Sequence, residues 1–237
     1  MTKPFLYFLP GTMCDQTLWI KVWPHLEQNF ELKALIIPQE RSFEEMASVL
    51  TQQLPEEPVN LVGFSLGAYL GAFFAYRYPN RVKCLLSIAN SPCALPEAEL
   101  VQRRQTLAWL QHAEYKGAVA SRIQQLLGAT SQNDLSIIEH VQQMERSVGL
   151  DQLVPQLTAS SERQDLTSFF EQTDIPVGFL YGTEDVLVNF EWMGRLLNAN
   201  IHQRCVKNVG HMMPLEAPEV VAESIKMFFN TNPRHLG

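Results

Sequence analysis

Three side chains carry the chemistry that this sequence can offer. Ser65 stands between Gly63 and Gly67 in "GFSLG", Asp185 lies in "YGTEDVLV", and His211 lies in "GHMMP". A hydroxyl, a carboxylate and an imidazole are the parts of an activated nucleophile. The serine attacks, the imidazole takes its proton, and the carboxylate orients the ring and stabilises its charged form. The three are far apart in the chain, so they act together only if the fold brings them to one place.

The elements around them predict that it does. "FLYFL" (5–9), "LKALII" (32–37), "VNLVGF" (59–64), "VKCLLSIA" (82–89), "IPVGFLYG" (175–182) and "HQRCVKNV" (202–209) read as buried strands bounded by turn residues. Between them run helical patterns. "FEEMASVLTQQL" (43–54) has Ser42 as its N-cap and Glu45 three residues on. Others cover 66–78, "FEWMGRLLN" (190–198) and "PEVVAESIKMFFN" (218–230). Strands alternating with helices predict an α/β fold with a mostly parallel sheet and helices on both faces. Such sheets hold ligands at the carboxyl ends of their strands, and Ser65, Asp185 and His211 each follow a strand.

From about residue 95 to 173 the strand runs stop, and Gln, Glu, Leu and Ala dominate with helical spacing. The expectation is a helical cap inserted at 95–173 into a core formed by 1–94 and 174–237.

The glycines beside Ser65 have a steric role. A tight strand-to-helix turn lifts the hydroxyl off the sheet and leaves little room for Cβ atoms at the flanking positions. The helix that starts there directs free N–H groups at the site, so the Leu66 N–H can stabilise an oxyanion. Taken alone, the pentapeptide also fits an inert turn in which the serine caps the helix. The order Ser, Asp, His, each after a strand, favours the nucleophile.

In these motifs the chain resembles the α/β-hydrolase superfamily, over nearly its whole length. "FLPGTMCDQTLW" matches the oxyanion loop, "GFSLG" the nucleophile elbow, "YGTEDVLV" the acid loop and "GHMMPLEAPEVVAESIKMFF" the histidine loop with the last helix. The resemblance implies Ser65 as nucleophile, Asp185 as acid (Glu184 is its neighbouring rival) and His211 as base. Aligning Gly11 and Trp19 with the family pattern makes the Thr12 N–H the second oxyanion donor, with Met13 as the alternative. Pro10 stands where many relatives have histidine, and it has no N–H to offer. The family's N-terminal strand pair is absent from the pattern.

The implied function is hydrolysis of a carboxylic ester of a small or acyl-chain substrate, with no cofactor and no metal. "ANSPC" (89–93) and the compact cap are similar to the carrier-protein methyl esterases of biotin synthesis, so a carrier-bound methyl ester or thioester is an alternative. So are a lyase of the menaquinone-pathway type and a non-catalytic small-molecule receptor. Met13, Pro92 and Trp109 are candidates to line the substrate pocket, with Tyr115, Phe169 and Phe170 as further apolar cap residues. Arg103, Arg104, Lys116 and Arg122 read as a solvated helix face or as a surface for an acidic carrier.

The bulk properties agree. The chain of 237 residues is 46% hydrophobic and 18% charged, with a net charge of −7. It can bury a substantial core, and it lacks the basic runs that nucleic acid requires. No segment reaches the length of a membrane helix, and the first residues are too short an apolar run for a secretory leader. The expected location is the cytoplasm. Cys14, Cys84, Cys93 and Cys205 form no CxxC pair and are expected to be buried free thiols. Asp174 precedes its strand and so falls at the wrong end of the sheet. His25, His112, His140, His202 and His235 are expected to be surface or packing residues, with no metal-ligand spacing among them.

Overall fold

The computed structural model describes residues 3–112 and 115–231. His235 lies outside them. Six strands form one sheet: β1 (Phe5–Leu9), β2 (Glu31–Ala34), β3 (Val59–Phe64), β4 (Val82–Ile88), β5 (Val177–Gly182) and β6 (Ile201–Val206). Their order is β2-β1-β3-β4-β5-β6, and every pair is parallel.

Alternate strand residues enter separate cores, as the two-residue strand period requires. Tyr7, Leu9, Leu61, Leu85, Val177 and Phe179 face one core; Leu6, Phe8, Val62, Leu86 and Leu180 face the other. The first core is closed by α1 (Phe43–Gln53), α2 (Leu66–Arg77) and, past the next segment, α7 (Thr167–Gln172) and α8 (Phe190–Arg195). The second is closed by α9 (Met213–Glu216) and α10 (Pro218–Thr231). Helices therefore cover both faces.

Between β4 and β5 the chain is helical: α3 (Glu97–Leu110), α4 (Ala120–Gln124), α5 (Leu135–Val148) and α6 (Leu153–Ser161) precede α7. The Ser42 hydroxyl caps α1, accepting from Glu45 N–H and donating to the Glu45 carboxylate, so the N-cap read from the sequence is present, though the glutamate returns to the serine hydroxyl and not to its backbone N–H.

Some elements differ from the sequence pattern. β2 is an edge strand that ends at Ala34, because its last registered partner on β1 is Phe8; Ile36 beyond it is 76% exposed. α8 stops at Arg195, leaving Leu197 at 89% exposure. Three cysteines are buried, but Cys205, on edge strand β6, is exposed.

Candidate active site

At the carboxyl end of β3 the backbone turns sharply into α2. Ser65 takes φ 51° and ψ −113°, a conformation costly for any residue with a side chain. Gly63 and Gly67 permit it. A Cβ on Gly63 would lie 2.5 Å from Ala68 Cα, and one on Gly67 would lie 2.3 Å from the Pro10 carbonyl oxygen. Neither obstacle is a side chain that can swing away.

The Ser65 hydroxyl does not cap α2. Its Oγ lies 3.0 Å from His211 Nε2. On the far side of the ring, Nδ1 lies 2.9 and 3.0 Å from the two carboxylate oxygens of Asp185. Asp185 Oδ1 also accepts from the Leu187 N–H at 2.9 Å. His211 and Asp185 are buried, at 4% and 2% exposure, and the Phe64 ring packs against the imidazole. The carboxylate thus faces the nitrogen that would carry the proton when Nε2 acts as a base.

Glu184 points elsewhere: its Oε2 accepts from Ala129 N–H at 2.6 Å. It belongs to a clasp between residues 126–130 and the loops that carry Asp185 and His211. His211 N–H donates to the Leu126 carbonyl at 2.7 Å. Glu216 Oε2 accepts from Gly128 N–H at 2.7 Å and Gly210 N–H at 3.2 Å. Burial raises the Glu216 pKa, and these N–H donors oppose the shift.

In the loop after β1, Cys14 N–H returns to the Gly11 carbonyl and Met13 takes φ 55°. Met13 N–H donates to Gln156 Oε1 of α6 at 2.8 Å, in a buried setting. That N–H is therefore occupied. Among the described residues, no acceptor is recorded for the Thr12 or Leu66 N–H, and both residues line the cavity at Ser65. Asp15 is structural, capping the turn at 16–19. Burial pushes the Cys14 thiol up to about 12, so it is no thiolate nucleophile at neutral pH.

The cavity has a volume of about 70 Å³. Thr12, Ser65, Leu66 and His211 form its floor; Phe43, Tyr69, Leu157 and Leu187 supply apolar wall, and Asn90, Glu99, Arg103, Ser160 and Arg163 supply polar wall.

The three expected pocket residues are not among these lining residues. Met13 is buried at 3% exposure with its N–H held by Gln156. Pro92 is buried too, its carbonyl accepting from Leu166 N–H. Trp109 is 53% exposed and packs edge-on against Tyr115. On α3 the inward positions are Glu99 and Arg103, one turn apart, and Trp109 sits roughly 240° further round the helix from Arg103. Phe170 is a core residue against Phe179 and Trp192, and Phe169 packs on Tyr76.

The expected basic cluster divides. Arg103 turns inward, bound to Glu99 at 2.8 Å and Ser160 Oγ at 2.6 Å. Arg104 stays outside and pairs with Glu97. Gln156, Ser160 and Arg163 were missed in the sequence, where nothing distinguishes them from other polar helix residues. His140 Nε2 lies 3.1 Å from the Thr17 carbonyl, tying α5 to the loop after β1. Asp174 is exposed and lines a separate groove, away from Ser65. Among the described residues, no group of His, Cys, Asp and Glu could hold a metal ion, and no helix is long and apolar enough to cross a membrane.

Known proteins share this architecture. The thermophilic esterase of Thermogutta terrifontis superposes with a TM-score of 0.82 at 21% identity, over 97% of this chain and 90% of that one. MenH from S. aureus gives 0.82 at 17% identity, over 98% and 95%. The pimeloyl-[acyl-carrier protein] methyl ester esterase of Proteus mirabilis is 29% identical over 99 residues, and that of Klebsiella pneumoniae is 31% identical over 96. These sequence matches span only 38% and 37% of each relative's length, and the same shares of this chain. Residues 38–179 match the family model described as the alpha/beta hydrolase fold. On that match, with its all-parallel sheet, this chain belongs to the α/β-hydrolase family.

Proposed function

We propose that the protein is a serine hydrolase of carboxylic esters. The observation that carries this is the hydrogen-bonded line from Ser65 Oγ through His211 to Asp185, with the serine free of any helix-capping role. In the proposed mechanism, His211 Nε2 accepts the Ser65 proton as Oγ attacks the acyl carbon. The Thr12 and Leu66 N–H groups receive the oxyanion. His211 then protonates the departing alkoxide and next activates a water that releases the acid. Asp185 holds the ring tautomer and stabilises the imidazolium. The helical segment 95–173 serves as the cap that builds the acyl pocket.

A second reading, a methyl ester or thioester of a carrier-bound acyl chain, draws support from the names of the Proteus and Klebsiella relatives.

The test is hydrolysis of short p-nitrophenyl esters together with fluorophosphonate labelling. Ser65→Ala is expected to lower kcat by about 10³-fold or more and to abolish the label. Undiminished turnover in the folded variant would overturn the mechanism. Failure of the wild type to label or turn over would favour a binding protein.

A further inference from the structure

We propose that the cavity at Ser65 recognises a carboxylate on the acyl part of a short ester, with Arg163 as its main partner. The substrate class is the half-ester of a small diacid. This rests on the hydrolase reading and goes beyond it by naming the acyl group.

Two observations converge. Arg163 lines the cavity, yet among the described residues it has no ion pair and no hydrogen bond, and its Nε is buried without an acceptor. Its guanidinium lies over the Tyr69 ring, 5.6 Å from the centroid, a contact that uses none of its N–H donors. Arg163 as a whole is only part-buried, but a buried guanidinium N–H without an acceptor is costly, and a carboxylate matches its planar fork in two parallel hydrogen bonds.

The charge count supplies the second. Arg103 and Arg163 face one acid, Glu99, which Arg103 already binds. The cavity thus holds one surplus positive charge in a chain with a net charge of −7. Burial presses the Arg163 pKa down, with the like charge of Arg103 adding to it; an anion beside it would relieve both effects.

An ester held on Ser65 releases its alcohol towards His211, and Arg163, which lies over the Tyr69 ring, is assigned to the acyl side. A cavity of about 70 Å³ suits a chain of a few carbons. Phe43 and Leu157 offer apolar wall for the intervening methylenes.

The experiment compares monomethyl succinate with methyl succinamate, its neutral isostere, and measures succinate binding by calorimetry. The wild type is expected to prefer the half-ester in kcat/KM. Arg163→Met should reduce that preference by about 10- to 150-fold, the range for hydrogen bonds to a charged group, and Arg163→Lys should restore part of it. Succinate should bind the wild type, and Arg163→Met more weakly. Equal use of both esters by the wild type, or a preference unchanged in folded Arg163→Met, would overturn the proposal while leaving the hydrolase reading intact. Turnover that survives Ser65→Ala would instead refute the hydrolase reading. Should neither ester be turned over, absence of Arg163-dependent succinate binding would by itself overturn the anion site.

Discussion

Gly67→Ala should disable the site through the backbone alone. The new Cβ would stand 2.3 Å from the Pro10 carbonyl oxygen, 2.5 Å from that of Leu9 and 2.7 Å from the Leu9 carbonyl carbon. Carbon–oxygen contacts begin near about 3.3 Å, so β1's end and the following loop must retreat from α2 by roughly 1 Å. The crowding costs about 1–3 kcal/mol, partly offset by the better helix propensity of alanine. For a chain of this length that lowers Tm by about 2–10 °C. The larger effect falls on activity, because the displaced segment leads into Thr12 while Leu66 stays on the helix. A misplacement of about 1 Å between two such donors can cost on the order of 10²-fold in kcat. Gly71→Ala on the same helix is the control. Its Cβ would meet only the methyl ends of Leu85 at 3.2 Å and Leu9 at 3.6 Å, so Tm should move by no more than about 3 °C and activity should persist. Calorimetry and p-nitrophenyl butyrate kinetics on both variants provide the measurement. If Gly67→Ala keeps its kcat within twofold, the idea that this close approach positions the oxyanion donors is wrong. Equal damage from Gly71→Ala would assign the loss to the helix as a whole.

Two further perturbations probe the supports of the site. Gln156→Ala strips the acceptor from the buried Met13 N–H, which should cost about 1–3 kcal/mol and lower kcat more than it changes KM; thermal melts and steady-state kinetics check it. Glu216→Gln tests the clasp behind His211 through pH. The carboxyl has a raised pKa in the fold, so the unfolded chain loses that proton first as pH rises and native stability falls across the interval. The Tm advantage of the glutamine variant should therefore grow from about pH 4.5, near the ordinary glutamate pKa, towards neutrality; an advantage greatest in acid would refute the assignment.

Much of the architecture was legible in the sequence. Apolar runs ended by turn residues located the strands, and the helices between them required parallel pairing. Once strands and order are known, the residues after β3, β5 and β6 must share a rim. Ser65, Asp185 and His211 could therefore be placed together without coordinates. The glycines around Ser65 were readable for a related reason, since only their missing side chains allow the turn.

The walls of the cavity were not readable. α3 has no fully buried residue, so it carries no apolar stripe to say which side faces inward. Its inner face is the charged pair Glu99–Arg103, which hydropathy assigns to solvent, and its one tryptophan lies outside. Gln156 and Arg163 join the site only because the segment between β4 and β5 folds back over the strand ends. The sequence by itself determined that Ser65, His211 and Asp185 would meet, because local pattern and sheet topology place them. Only the tertiary structure decided what surrounds them, because the packing of polar helix faces depends on partners distant in the chain.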